Sequence, residues 1–341
     1  MSNWRMPIES HPQERVFMAW PASGGYLFTD ATSAAEAYTA WASVANAITE
    51  HEHLTMLVNP GDEKIAKKYL ARQVELVTAP LNDAWMRDIG PSFVIGENGE
   101  LGAVNYVFNG WGAQRWAKWD KDQHVGKIVA ELAGATIINS EMVNEGGGIQ
   151  VDGIGRVIVT DTVQLDPGRN PGWSKAQVED ELRRTIGTTG TLWLPRGLTR
   201  DSDEFGTRGH SDILAAFASE DVLLMHEQTN PAHPDYAISK ENIEITQRWL
   251  QERGDKTAIL TLPAPEILRD SEGFVDYSYI NHLVINNAVI ACGFGEKAAD
   301  QRAHSIMAEV YPGREIVNLD ARDIFTRGGG IHCITQQQPA V

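Results

Sequence analysis

Cysteine is scarce in this chain. Its two cysteines among 341 residues, Cys292 and Cys333, are too few for a disulfide framework and fit a reducing compartment. Long apolar runs are missing too. No stretch approaches the roughly 18 apolar residues that span a bilayer. The first residues lack the basic region leading into an apolar stretch that marks a signal peptide. Positive charge is in deficit: 29 Lys and Arg face 46 Asp and Glu, for a formal net charge of −17. That disfavours nucleic acid and anionic membrane surfaces, whose recognition needs basic patches. An acidic balance suits ordinary solubility, and it also suits a cationic ligand drawn in by a negative field. A soluble cytoplasmic protein is expected, with a homo-oligomer left open.

Linkers and low-complexity segments are also absent, which predicts a single domain over 1–341. Thirty-one glycines and ten tryptophans point to a globular α/β protein with many tight connections. A form recurs five times: a β-rich segment, a helix, then another short strand. The first unit has a helix over 33–49 between strands 15–20 and 54–58. The second has a hairpin over 92–107, with Asn98-Gly99 near its turn, then helix 121–132 and strand 135–138. The third comprises hairpin 148–160, helix 175–186 and strand 191–194; the fourth, hairpin 212–225, helix 240–252 and strand 257–262. The fifth comprises hairpin 279–292, helix 296–310 and strand 315–319. A strand around Cys333 is left over, and the first unit lacks one at its start. Pairing the two chain ends would close a ring and remove exposed edges. The pattern predicts a five-bladed α/β propeller with helices outside a central channel. A mixed-sheet sandwich is the alternative.

Polar residues gather where the units begin. Trp85-Met86-Arg87-Asp88 precedes the second, Asn144-Glu145-Gly146-Gly147-Gly148 opens the third, and Gly209-His210-Ser211-Asp212 opens the fourth. Gly328-Gly329-Gly330-Ile331-His332-Cys333 closes the ring. In a propeller Asp88, Glu145, His210, Asp212 and Cys333 would meet at one end of the channel. A thiol after a glycine run is a candidate nucleophile, with a buried structural cysteine as the plainer reading. In a strand His210 and Asp212 share a face, whereas His332 and Cys333 face oppositely. This makes Cys333 with His210 the expected nucleophile and proton shuttle. Carboxylates beside a thiol disfavour its ionisation, unless the substrate brings positive charge. A guanidinium does so, and carboxylates can grip its nitrogens in pairs.

The stretches Trp85-Met86-Arg87-Asp88-Ile89-Gly90-Pro91, Asn144-Glu145-Gly146-Gly147, Gly209-His210-Ser211-Asp212 and Gly329-Gly330-Ile331-His332-Cys333-Ile334-Thr335-Gln336-Gln337-Gln338-Pro339 closely resemble agmatine deiminases, guanidine-modifying enzymes with a five-fold α/β propeller. The likeness runs from Met6-Pro7 to Pro339. It implies Cys333 as nucleophile, His210 as general acid/base, and Asp88 and Asp212 as guanidinium clamps. Glu145 matches a further carboxylate that orients the substrate or His210. The resemblance implies no metal or organic cofactor. For the distal amine of agmatine the candidate contacts are Trp85, Glu9 and Glu204. Two positions depart from the family pattern: Arg208 replaces an acidic or amide residue two places before His210, and Gly330 replaces an asparagine. An Arg208 lining the pocket would select a carboxylate-bearing guanidine such as arginine or a peptidyl C-terminal arginine, unless Asp201, Asp203 or Glu204 neutralises it.

Overall fold

A computed structural model describes residues 3–341. Five separate sheets form the β structure, and each is built on one plan. An antiparallel pair comes first, a helix crosses over, and the strand after the helix adds in parallel to the second strand of the pair. In the second sheet Ser92–Gly96 pairs with Leu101–Val107, which pairs with Thr136–Val143. The fourth joins Ala215–Ser219, Val222–Glu227 and Ala258–Pro263, and the fifth joins Leu283–Ile285, Ala288–Gly293 and Glu315–Asp320. The third is shortest at its entry, where only Gln150–Val151 faces Arg156–Thr160 before Gly190–Leu194 adds in parallel. The fold is the α/β propeller expected from the repeat.

The first sheet is completed by the far end of the chain. Thr335–Pro339 pairs antiparallel with Gln13–Ala19, which then pairs in parallel with Leu54–Val58. The buried run Val16-Phe17-Met18-Ala19 drives this docking, because a strand covered on both faces reads as continuously apolar. Two strands escape the repeat: Glu75–Thr78 extends the first sheet, and Trp4–Arg5 edges the second.

Helix ends follow local chemistry. Ala31–Thr49 starts two residues before the predicted Ser33, because Asp30 caps it by accepting from the Thr32 and Ser33 N–H groups. Lys175–Ile186 matches its expected bounds, with a Ser174–Gln177 capping box at one end and left-handed Gly187 at the other. The fourth helix, Asp235–Glu252, gains five residues over expectation, since Pro234 fits a helix start. Among the described residues, no helix is long and apolar enough to cross a membrane.

Ring closure generates a stability prediction. Phe17 is fully buried and stacks on Phe93 of the neighbouring sheet, with ring centroids 6.1 Å apart. Phe17→Ala is expected to lower the unfolding free energy by about 3–5 kcal/mol in urea titrations. Ile154→Ala, at a side chain 46% exposed, should stay within about 0.5 kcal/mol of wild type.

Candidate active site

Cys333 lies in a turn over 331–334, before the closing strand begins at Thr335. The Thr335 hydroxyl and N–H both donate to the His332 carbonyl and tighten this turn. Strand alternation therefore does not apply here, which removes the ground on which His332 and Cys333 were expected to face apart, although only Cys333 lines the cavity above. Both converge on one atom: Asp212 Oδ2 is 2.8 Å from His332 Nδ1 and 3.6 Å from Cys333 Sγ. His210 and Asp212 likewise belong to no strand. Residues 211–213 form a 3-10 turn, and that turn brings both side chains toward the thiol side of the channel.

Asn281 was not anticipated. Its Nδ2 is 3.3 Å from Cys333 Sγ, and its Oδ1 accepts the His332 N–H at 3.0 Å. A Cβ on residue 330 would come within 2.4 Å of that Oδ1, so the glycine found there admits the amide. The usable signal was positional. Asn281 enters the fifth hairpin as Asp88 and His210 enter the second and fourth.

The second half of the site is built around Gly147. A Cβ there would lie 2.4 Å from His210 Nδ1 and 3.0 Å from Asp88 Oδ1, so glycine lets imidazole and carboxylate approach over bare backbone. Asp88 accepts from Trp111 Nε1 at 2.9 Å and from the Gly147 N–H at 3.2 Å. His210 Nε2 meets Glu145 Oε2 at 3.3 Å, and its Nδ1 faces Asp88 Oδ1 at 3.8 Å. Glu145 is wholly buried and held by Arg169, whose Nε lies 3.0 Å from both carboxylate oxygens. Arg169 is a second residue that sequence reasoning missed. Upstream, Asp201 accepts from the Thr207 N–H and hydroxyl and from the His210 N–H, which fixes the loop that delivers the histidine.

Burial would pull the His210 imidazolium down, but Asp88 and Glu145 outweigh it and hold the group at about 9. Asp88 is also raised, to about 6, because burial and the neighbouring Glu145 and Asp212 outweigh His210. Burial also opposes ionisation of Asp212, yet its bond to His332 keeps it below the usual carboxylate range. The Cys333 thiol is pushed well above its ordinary value by burial, then by Asp212 and Asp88. At this site His210 Nδ1 and Asp212 Oδ1 are buried and make no hydrogen bond. The assembly can therefore accept a planar cation, with an acid and a thiol on hand.

Above this floor opens a cavity of about 710 Å³ whose wall includes Trp85, Asp88, Trp111, Glu204 and Cys333. Carboxylates dominate the lining, and its two arginines are already engaged. Arg200 pairs with Asp270 and Glu272, while Arg327 is bound to backbone carbonyls of Leu27, Ser33 and Asp323. Glu9 is not part of this wall, which corrects its expected contact with a distal amine. It lies behind the thiol turn, bonded to His332 Nε2 and the Val284 N–H, each at 2.8 Å. Arg208 is also outside the wall. Left-handed backbone (φ 73°) turns it onto Asp166 at 3.1 Å, so Asp166 neutralises it rather than Asp201, Asp203 or Glu204. Among the described residues, no group of three or more His, Cys, Asp or Glu is arranged to hold a metal ion.

The sequence matches the model of the Porphyromonas-type peptidyl-arginine deiminase family over residues 5–339. The chain belongs to this family. It is thus a hydrolase acting on C–N bonds, like the other deiminases. A Streptomyces coelicolor protein named "Putative agmatine deiminase" is 50% identical over 337 residues, spanning 98% of this chain and 99% of its own. One of the same name from Streptomyces avermitilis is 46% identical over 338 residues, spanning 98% of this chain and 97% of its own. A solved structure, described as the agmatine deiminase of Enterococcus faecalis catalysing its reaction, superposes with a TM-score of 0.90 at 28% identity, covering 99% of this chain and 96% of that one.

The electrostatics of this deiminase site predict a labelling preference. A cationic haloacetamidine should alkylate Cys333 at least about tenfold faster than the neutral haloacetamide, since opposite charges some 4 Å apart attract by about 4 kcal/mol near a protein surface. Cys292, buried in Ala288–Gly293 with its thiol pushed up to about 12, should react with neither. Peptide mapping after timed labelling reads both rates.

Proposed function

We propose that this chain is an agmatine deiminase. It hydrolyses the guanidinium of agmatine to N-carbamoylputrescine and ammonia through a covalent adduct on Cys333. One observation carries the reading: a thiol at the base of an acidic cavity, between Asp88 and Asp212, with the nearest cationic side chains of the wall already paired. Such a cavity favours a ligand with positive charge at both ends. Asp88 and Asp212 grip the guanidinium, and its charge then drives the Cys333 proton out to solvent and stabilises the thiolate. Sγ attacks the guanidinium carbon to give a tetrahedral adduct, and protonated His210 delivers its proton to the departing ammonia. The amidino-thioether that remains is attacked by water, which loses a proton to the now neutral His210. Collapse breaks the C–S bond, frees the ureido product and returns the thiol. Glu145, anchored by Arg169, sets the orientation and charge of His210 in both halves.

The rest of the cavity wall suits the second amine. Asp83 and Asp276 line the cavity and are both pushed up to about 7, chiefly by burial, so a bound ammonium would draw each toward ionisation. Trp85 and Glu204 face the same space. Arg208 offers nothing to a substrate carboxylate, because it is bound to Asp166 outside the wall. The buried, unpaired cysteines suit a cytoplasmic enzyme, and we read residues 1–341 as one catalytic domain.

Turnover assays with agmatine and free arginine test the substrate. A carboxylate placed among these acids costs several kcal/mol, so kcat/KM should favour agmatine by about 100-fold or more at 1.36 kcal/mol per tenfold. A preference for arginine or for a peptidyl C-terminal arginine would overturn the choice. The pH profile tests the chemistry. Asp88 must be ionised to grip the substrate, so kcat/KM should fall as pH drops through about 6. His210 must be protonated to serve as acid, so kcat, read once the bound cation has favoured the thiolate, should fall as pH rises through about 9. A kcat profile still climbing above pH 9 would remove His210 from the proton-transfer role.

A further inference from the structure

Behind Cys333, on the side away from the cavity, a row of charged groups joins the two ends of the chain. Glu9 Oε2 lies 2.8 Å from His332 Nε2, and His332 Nδ1 lies 2.8 Å from Asp212 Oδ2. All three side chains are buried or nearly so, with side-chain exposures of 16% for Glu9, 4% for His332 and 0% for Asp212. A ring nitrogen facing an ionised carboxylate must carry a proton. With a carboxylate at each ring nitrogen, His332 is an imidazolium. Asp212 Oδ2 is thereby occupied, while Asp212 Oδ1 is buried without a partner.

We propose that Glu9 and His332 are positioning residues for deimination: Glu9 holds His332 charged, and His332 fixes Asp212 ionised with Oδ1 turned to the guanidinium. The inference rests on the deiminase reading and assigns a task to two groups which that mechanism leaves idle. Every charged or titratable neighbour is consistent with it. Arg87, from Met86–Ile89, opposes the imidazolium but also faces Glu9 and Asp212, so two cations and two anions balance beneath the thiol. His282 donates from Nδ1 to the Tyr279 carbonyl and meets the Tyr311 hydroxyl at Nε2. Burial holds it low, and it remains neutral. Beyond Asp212 lie His210 and Asp88, which face the substrate side. If His332 lost its proton, one carboxylate charge would be left uncompensated, and Asp212 could turn Oδ1 away or raise its own proton affinity.

Glu9→Gln tests this, because the amide keeps the size and a hydrogen bond but removes the charge. With agmatine, or whichever guanidine the wild type turns over, kcat should fall about tenfold or more. The alkaline limb of the kcat profile should move to lower pH, since His332 without its anionic partner loses its proton sooner. A residue that merely stabilised the fold would not shift that limb. Ring-nitrogen NMR of His332, assigned with His332→Asn, reads the same state without any substrate. The wild-type ring should stay doubly protonated at neutral pH and lose its proton at lower pH in E9Q. A neutral wild-type ring, or an E9Q variant with wild-type titration and pH profile, would overturn the proposal. A wild-type protein that ignores every guanidine would instead sink the deiminase reading, and the NMR result would stand apart from it.

Discussion

Everything at this site depends on one antiparallel pairing. Thr335–Pro339 against Gln13–Ala19 joins the two ends of the chain. That pairing supplies the strand the first sheet lacks and sets the turn at Cys333 over the channel. It also carries Glu9, four residues before the N-terminal strand, to the back of His332. Sheet closure and site assembly are therefore a single event in the folded state. The cost is topological: contacts spanning some 320 residues form only after the intervening sheets have ordered the chain, and such non-local pairing is slow. In return the thiol turn runs straight into the fully buried strand Thr335–Pro339 rather than sitting on a free loop, and its geometry is tied to the core.

A second constraint is electrostatic. Five ionisable groups that would repel or be desolvated in isolation are packed around one thiol, and each has a fixed counterpart. Arg169 neutralises Glu145, His332 neutralises Asp212, and His210 stands between Asp88 and Glu145. Only Cys333 lacks a cation of its own on the cavity side. Burial first, and then this imbalance of nearby carboxylates, keeps the thiol protonated at rest. Activation then waits on the substrate's charge, which provides selectivity as well as rate: a neutral electrophile entering the cavity meets a thiol rather than a thiolate.

Much of this was legible from residues alone, and the failures share a cause. The repeat of hairpin, helix and strand marked all five sheets, because crossover helices and short apolar strands have distinct periods. Placing Asp88, Glu145, His210 and Asp212 at the starts of units was enough to bring them together. What periodicity does not carry is the shape of tight turns. Residues 211–213 and 331–334 were expected in strands and form turns instead, so strand alternation was the wrong ground for facing Cys333 into the cavity and His332 away from it. Glu9 was expected at the distal amine as a carboxylate and Arg208 at the pocket by its place two residues before His210, and neither charge nor position says which way a side chain leaves the backbone. Asn281 and Arg169 went unnoticed because their tasks exist only in three dimensions: one fills the space left by Gly330, the other buries Glu145.

Arg208 shows how one such detail bears on specificity. A cation two residues from His210 would in isolation suggest a binding partner for a substrate carboxylate. Asp166 removes that option by binding Arg208 at 3.1 Å and Arg169 at 2.9 Å. The half-exposed arginine and the buried one thus share a carboxylate that is itself buried. Freeing Arg208 would leave Asp166 to Arg169 alone and, because Asp166 and Glu145 share that guanidinium, loosen its hold on Glu145, with a corresponding change in the field at His210. The residue that departs from the family pattern is therefore tied, through two carboxylates, to the proton shuttle rather than to the substrate's far end. Its replacement should be felt in the ionisation of His210 more than in the choice of guanidine.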